Sequence, residues 1–219
     1  MRFEEKLKSA LEESIEQIKE TLFYKNLLDG QNVKEIYQSY LYHAYHYVVK
    51  TASFTPLAAR RMGSEHLRAR KWILEHSAEE MGHELMALKD LHFLGKEKDE
   101  VINGIIPIGV VAWMSFFHHK VTQGNPFGVF GVLYFLEGMA ESLAPKILGP
   151  IMNSLEGDEK KAVSFFKEHG ELDHGHLKEQ EVIIFSAKLT KNDEDVIIQT
   201  LKESVQIKVF MLNTLMRDL

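Results

Sequence analysis

Apolar side chains recur every three to four positions through most of the chain, and nowhere do they alternate in the way a half-buried strand requires. Phe3, Leu7, Ala10, Leu11, Ile15, Ile18 and Leu22 set the pattern and predict an amphipathic helix from Phe3 to Phe23, ending before the turn signal Asp29-Gly30. A second helix is expected from Val33 to Met62, with Pro56 as a point of bending and Gly63 as its stop. Ser64 then offers an N-cap for a third helix, from Glu65 to Leu94, closed by Gly95. An apolar stretch from Pro107 to Phe117 runs up to the breakers Gln123-Gly124-Asn125-Pro126. Beyond them the pattern predicts a helix from Phe127 to Leu148 interrupted at Gly149-Pro150, a long one from Glu159 to Lys188 capped by Asp158, and a last one from Asn192-Asp193 to Met216. The expectation is an all-α chain, about seven helices forming one domain over residues 1–219, with no repeats and no linker long enough to divide it.

Composition narrows the chemistry. At 219 residues and 45% apolar content the chain can bury a core without disulfides or a structural metal, so a metal here would serve a reaction. Cysteine is absent, which removes disulfides, thiolate zinc sites, iron–sulfur clusters and thiol nucleophiles. No apolar run approaches the roughly 20 residues of a membrane span, and Met1 leads into a charged amphipathic segment, so a cytoplasmic protein away from membranes is expected. With 32 acidic against 26 basic residues there is no electrostatic footprint for nucleic acid. Arg60, Arg61, Arg68, Arg70 and Lys71 read as a solvated helix face.

Eleven histidines are present, and three crowd into His169-Gly170-Glu171-Leu172-Asp173-His174-Gly175-His176. At about 100° per residue, His169, Asp173 and His176 share one helical stripe and His174 faces elsewhere. Imidazole and carboxylate on one stripe suit iron, manganese or zinc, and the two glycines suggest close approach of another element. Glu80 and His83 form a Glu-x-x-His spacing of the kind used by carboxylate-bridged metal sites in bundles, with His76 two turns earlier as a further ligand or a supporting partner. Glu79 and Glu84 are expected to point outward. Glu137 interrupts an apolar helix and needs a partner or a cation, as does Glu141 one turn on. Two arrangements fit these parts. A ferritin-like diiron site would use Glu171 and His174 but lacks its first glutamate, because only Glu35 is acidic between Val33 and Met62. The other uses His169, Asp173 and His176.

The motifs Glu80-x-x-His83, Leu136-Glu137-Gly138 and His169-x-x-x-Asp173-x-x-His176 resemble those of the haem-oxygenase-like diiron oxidases, also described as iron-containing redox enzymes, from about Tyr37 to His176. The resemblance implies a haem-oxygenase-like seven-helix bundle, possible as a homodimer, with two Fe2+ per chain. It implies that Glu80, His83, Glu137 and His169 hold one iron and Asp173 and His176 the second, with Glu80 bridging. Some members place the first glutamate seven residues before the histidine, a position that is His76 here. It further implies dioxygen and a small organic molecule, derived from a fatty acid or an amino acid, as co-substrates. The stretch from Ile105 to Phe117 and the residues Tyr42, His43 and His46 read first as core and packing residues, with a place in the substrate pocket as the alternative. Three other readings compete: a ferritin-like metal-binding protein, a haem oxygenase using His43 or His46, and a thiaminase-like bundle protein, whose resemblance implies a cysteine nucleophile that this chain lacks.

Overall fold

The computed structural model describes residues 2–171 and 175–219, with the backbone alone for 169–171. The elements are α1 (Phe3–Lys19), α2 (Leu22–Leu28), α3 (Val33–Ala59), α4 (Leu67–Glu79), α5 (Glu84–Phe93), α6 (Lys98–Ile102), α7 (Ile108–Thr122), α8 (Gly128–Ser154), α9 (Ser164–Glu171), α10 (His176–Ser186) and α11 (Lys191–Arg217), with 3-10 turns at Ser64–His66 and Gly157–Lys161. No strand occurs among the described residues, in keeping with the expected all-α single domain. No described helix is long and apolar enough to cross a membrane.

The long helices predicted from periodicity are cut into shorter pieces, and each cut has a local cause. The first ends at Lys19 because the Thr21 hydroxyl donates to the Ile18 carbonyl (2.6 Å) and accepts from the Tyr24 amide (3.3 Å), capping α2. The third is broken between Glu79 and Glu84, where Gly82 adopts φ +100° and the Glu84 carboxylate accepts its amide at 3.1 Å. The segment predicted from Glu159 to Lys188 divides into a 3-10 turn, α9 and α10. In the opposite sense, α8 continues through Gly149-Pro150 to Ser154, held by the buried Ile147 and Ile151 on either side.

Helix α3 lies at the centre, packed by α4, α5, α7, α8 and α11. Helix α8 crosses α11 closely at Gly131, where a Cβ would fall 2.3 Å from the Ile197 carbonyl oxygen. Gly138 likewise lets Leu11 of α1 approach. Gly175 is the N-cap of α10, and among the described residues a Cβ there would meet nothing nearer than Glu179 at 4.0 Å; Gly170 lies outside the described side chains. Arg61, on the face expected to be solvated, donates to the carbonyls of Val121, Gln123 and Gly124 and so satisfies the end of α7.

Candidate metal centre

The residues predicted for chemistry come from α4, the α4–α5 turn, α8 and α10. His76 is in the last turn of α4 and is almost fully buried. Its ring is stacked on Trp72 (centroids 4.8 Å apart, 9° between planes), and Trp72 in turn stacks on Phe130 of α8. Beside it, the Ser77 hydroxyl donates to the Ala52 carbonyl at 2.6 Å and ties α4 to α3. Glu137 is buried on α8 with an oxygen 3.4 Å from His76 Nε2. Helix α10 is pinned to α8 by Gln180 donating to the Phe130 carbonyl (2.8 Å) and Tyr134 donating to Glu181 (2.7 Å). That attachment brings His176 Nδ1 to 3.7 Å from Glu137, with its ring edge-on to His76 at 5.1 Å.

Glu80, at the end of α4, completes the group: His76, Glu80, Glu137 and His176 each offer a donor atom, and all four atoms lie within 4.8 Å of one another. Donors that each lie about 2.1 Å from one ion are about 3 to 4.2 Å apart, so a group spanning up to 4.8 Å needs only a small closing movement to share a cation. Two imidazoles and two carboxylates form a mixed nitrogen and oxygen set suited to ferrous iron. Two carboxylates brought together in a largely buried pocket repel one another, and a cation between them relieves that cost. The residues therefore fit a metal of this class. His83, whose Nδ1 is 3.2 Å from Glu80 Oε2, stands on the other side of Glu80. The turn at Gly82 makes this possible: it ends the helix that would have carried both, yet leaves Glu80 able to meet His76 and His83.

Of the predicted site residues, Glu80, Glu137 and His176 come together with His83 adjacent. Asp173 and the side chain of His169 lie outside the described residues, as do His174 and the side chain of Glu171. Glu141 is not in the four-residue group, and Glu79 faces His176 Nε2 at 3.5 Å from the rim. His76 has moved from an open role to the centre of the group. Its signal was the four-residue step to Glu80, which puts both on one stripe at the end of a helix.

The cluster opens onto an apolar cavity with about 980 Å³ of space free of atoms, part of it open solvent. Its wall includes Tyr40, Tyr47, Val48 and Thr51 of α3, Leu133, Leu136 and Met139 of α8, Phe165 and Phe166 of α9, and Lys208 of α11. Two sets of residues stay out of this wall, as the reading of them as packing residues requires. No residue of the Ile105 to Phe117 stretch is in that wall: Trp113 and Phe117 are core, while Ile105 and Ile108 are exposed. Tyr42, His43 and His46 are also absent from the wall, because Tyr40, Tyr47 and Thr51 hold the cavity stripe of α3 and these three point aside. His43 instead donates from Nδ1 to the Ser39 carbonyl at 2.8 Å, and burial lowers its pKa, as it does that of His46.

Residues 38–208, most of the chain, match a single family described as iron-containing redox enzyme. The chain belongs to that family. As an iron-containing redox enzyme family member it shares its fold with a haem-oxygenase-like domain of unknown function from Shewanella denitrificans OS217, at 21% identity and TM-score 0.86, over 100% of this chain and 93% of that one. A TenA homologue from Pseudomonas syringae pv. tomato matches at 13% identity and TM-score 0.82, over 99% of this chain and 93% of its own. A CADD-like protein of unknown function from Nostoc punctiforme PCC 73102 matches at 14% identity and TM-score 0.72, covering 99% and 97%. These likenesses establish the haem-oxygenase-like fold that the motifs implied. No curated protein matches the sequence.

Proposed function

We propose that this family member binds ferrous iron at His76, Glu80, Glu137 and His176 and uses dioxygen to oxidise a small organic molecule held in the adjoining cavity. The observation that carries this reading is the convergence of two imidazoles and two carboxylates at one wall of an apolar chamber. Iron, when bound, would supply a site for dioxygen and the electrons for its reduction. The chain's own residues provide the rest. Trp72 fixes the plane of the His76 ring, the α8–α10 hydrogen bonds fix His176, and the surrounding Leu, Met and Phe side chains keep water from the reacting molecule. The position of Glu80 between His83 and the other three donors supports the bridging role that the family resemblance implies for it. A second ion would then draw on His83 with His169 and Asp173, which regroups the sets implied by the resemblance, where His83 and His169 go with Glu80 and Glu137 and Asp173 pairs with His176.

Anaerobic loading with ferrous iron followed by metal analysis and oxygen uptake tests the reading. Wild type is expected to hold about two irons per chain and to consume dioxygen, as carboxylate-bridged bundles do. His76→Ala and Glu137→Gln are expected to lose at least about half of that iron, since each removes a ligand from the shared group. Full iron content in Glu137→Gln overturns the site. Iron bound with no oxygen consumed overturns the oxidase in favour of metal storage, and stable haem binding without iron uptake favours a haem protein.

A further inference from the structure

Lys208 is the one lysine among the described residues that is fully buried. It sits in the middle of α11 on the stripe of Leu201, Ser204, Val205, Met211, Leu212 and Leu215, a position the pattern reserves for core. Among the described residues its Nζ has no hydrogen-bond partner and no carboxylate paired with it. Instead it lies among ring faces, 4.1 Å from the centroid of Tyr47, 5.4 Å from Trp113 and 5.6 Å from Tyr40. Trp113 Nε1, close by, is a second buried donor with no acceptor. An ammonium group in such a place, with three N–H donors unmatched, is costly unless something supplies the missing negative charge. The same cavity that holds His76, Glu80 and Glu137 in its wall also has Lys208 in it, together with Tyr40 and Tyr47 from the ring cage.

We propose that Lys208 is the anion-recognition residue of this cavity, taking the carboxylate of an otherwise apolar substrate and leaving its hydrocarbon body to extend along the wall toward His76, Glu80 and Glu137. The inference rests on the reading of the cavity as a substrate chamber and adds to it the chemical class of what enters. A carboxylate is the fitting partner because Lys208 brings to the pocket a buried cation that meets no carboxylate among the described residues, and because one charge met by one counter-charge leaves the aromatic walls undisturbed. Tyr40 and Tyr47, whose hydroxyls are 3.2 Å apart, hold the rings that flank the ammonium group and set its direction.

Two probes test this, 4-phenylbutyrate and 4-phenylbutanol, which share an apolar body and differ in the anionic end. Calorimetry on the purified protein is expected to show the carboxylate binding about tenfold or more tightly than the alcohol. In Lys208→Met the carboxylate is expected to weaken by about 10- to 100-fold, with the alcohol changed by less than about threefold. Circular dichroism of the variant checks that the helices are intact, and the comparison of the two probes on wild type stands whatever the variant does. Equal affinity of wild type for the two, or carboxylate affinity unchanged in Lys208→Met, overturns the assignment. Iron content measured on the same samples separates the two claims: a wild type that binds no iron yet discriminates the carboxylate through Lys208 defeats the oxidase reading and leaves this one standing.

Discussion

Replacing Lys208 by methionine, an apolar side chain of similar length, should make the protein more stable. The proton leaves this lysine at about 7 in the folded chain, driven down by burial, against the ordinary 10.5. A difference of that size corresponds to on the order of 5 kcal/mol of unfavourable free energy carried by the charged form. The faces of Tyr47, Trp113 and Tyr40 return roughly 1 to 2 kcal/mol of it. At pH 6, below both values, Lys208→Met is therefore expected to gain about 3 kcal/mol in urea unfolding followed by circular dichroism. The advantage should shrink as the pH rises. Between about 7 and 10.5 the unfolded chain keeps a proton that the folded chain has released, so the stability of wild type climbs with pH through that window and the variant lacks this contribution. Comparing pH 6 with pH 9 avoids the ionisation of tyrosines above it. A variant less stable than wild type at pH 6, or a gap that does not move between the two pH values, would refute the reasoning, because either result requires a fixed internal counter-charge. Retention of a destabilising charge in the wall of this cavity is the kind of trade that functional sites make against stability.

Two further substitutions probe how the centre is built. Gly82→Ala meets no neighbour within 4 Å but must hold φ +100°, so it should cost about 1 to 2 kcal/mol of stability in denaturant unfolding and lower iron content by shifting Glu80 relative to His83. Unchanged stability would show that the turn tolerates an ordinary residue. Asp90 accepts from the Ser164 hydroxyl (2.6 Å), the Phe165 amide (2.8 Å) and the Tyr37 hydroxyl (3.3 Å), and so anchors the start of α9 to α3 and α5. Asp90→Ala removes the acceptor of the Ser164 hydroxyl and the Phe165 amide, while Tyr37 keeps the Ala162 carbonyl (2.8 Å), and should cost about 2 to 4 kcal/mol by the same measurement, with a loss below about 1 kcal/mol counting against an anchoring role.

The helical class was legible because a period near 3.6 is a property of neighbouring residues and survives in the sequence without reference to the fold. The same holds for Glu137, an acid among Tyr134, Phe135, Leu136 and Gly138, which advertises its need for a partner. His176 was named from the sequence and joins the group, while the His169 side chain and Asp173, its expected companions, lie outside the described residues.

What the chain order alone left undetermined depends on how helices cross and where they break. Glu80 and His83 were placed on one continuous helix, whereas a single positive-φ glycine divides it, and whether a glycine is merely tolerated in a helix or turns the chain is decided by what α4 and α5 must each pack against. Tyr42, His43 and His46 lie about 160°, 60° and 120° around α3 from Tyr40, and which sector faces the cavity is decided by how α3 is seated against α8 and α11. Lys208 is the sharpest case. Its place on the apolar stripe of α11 was readable, but a lysine there looks like any of the chain's 26 basic residues until α11 is seated against α3, α7 and α8. Burial, and with it the demand for a counter-charge, is a property of packed surfaces and belongs to no single segment.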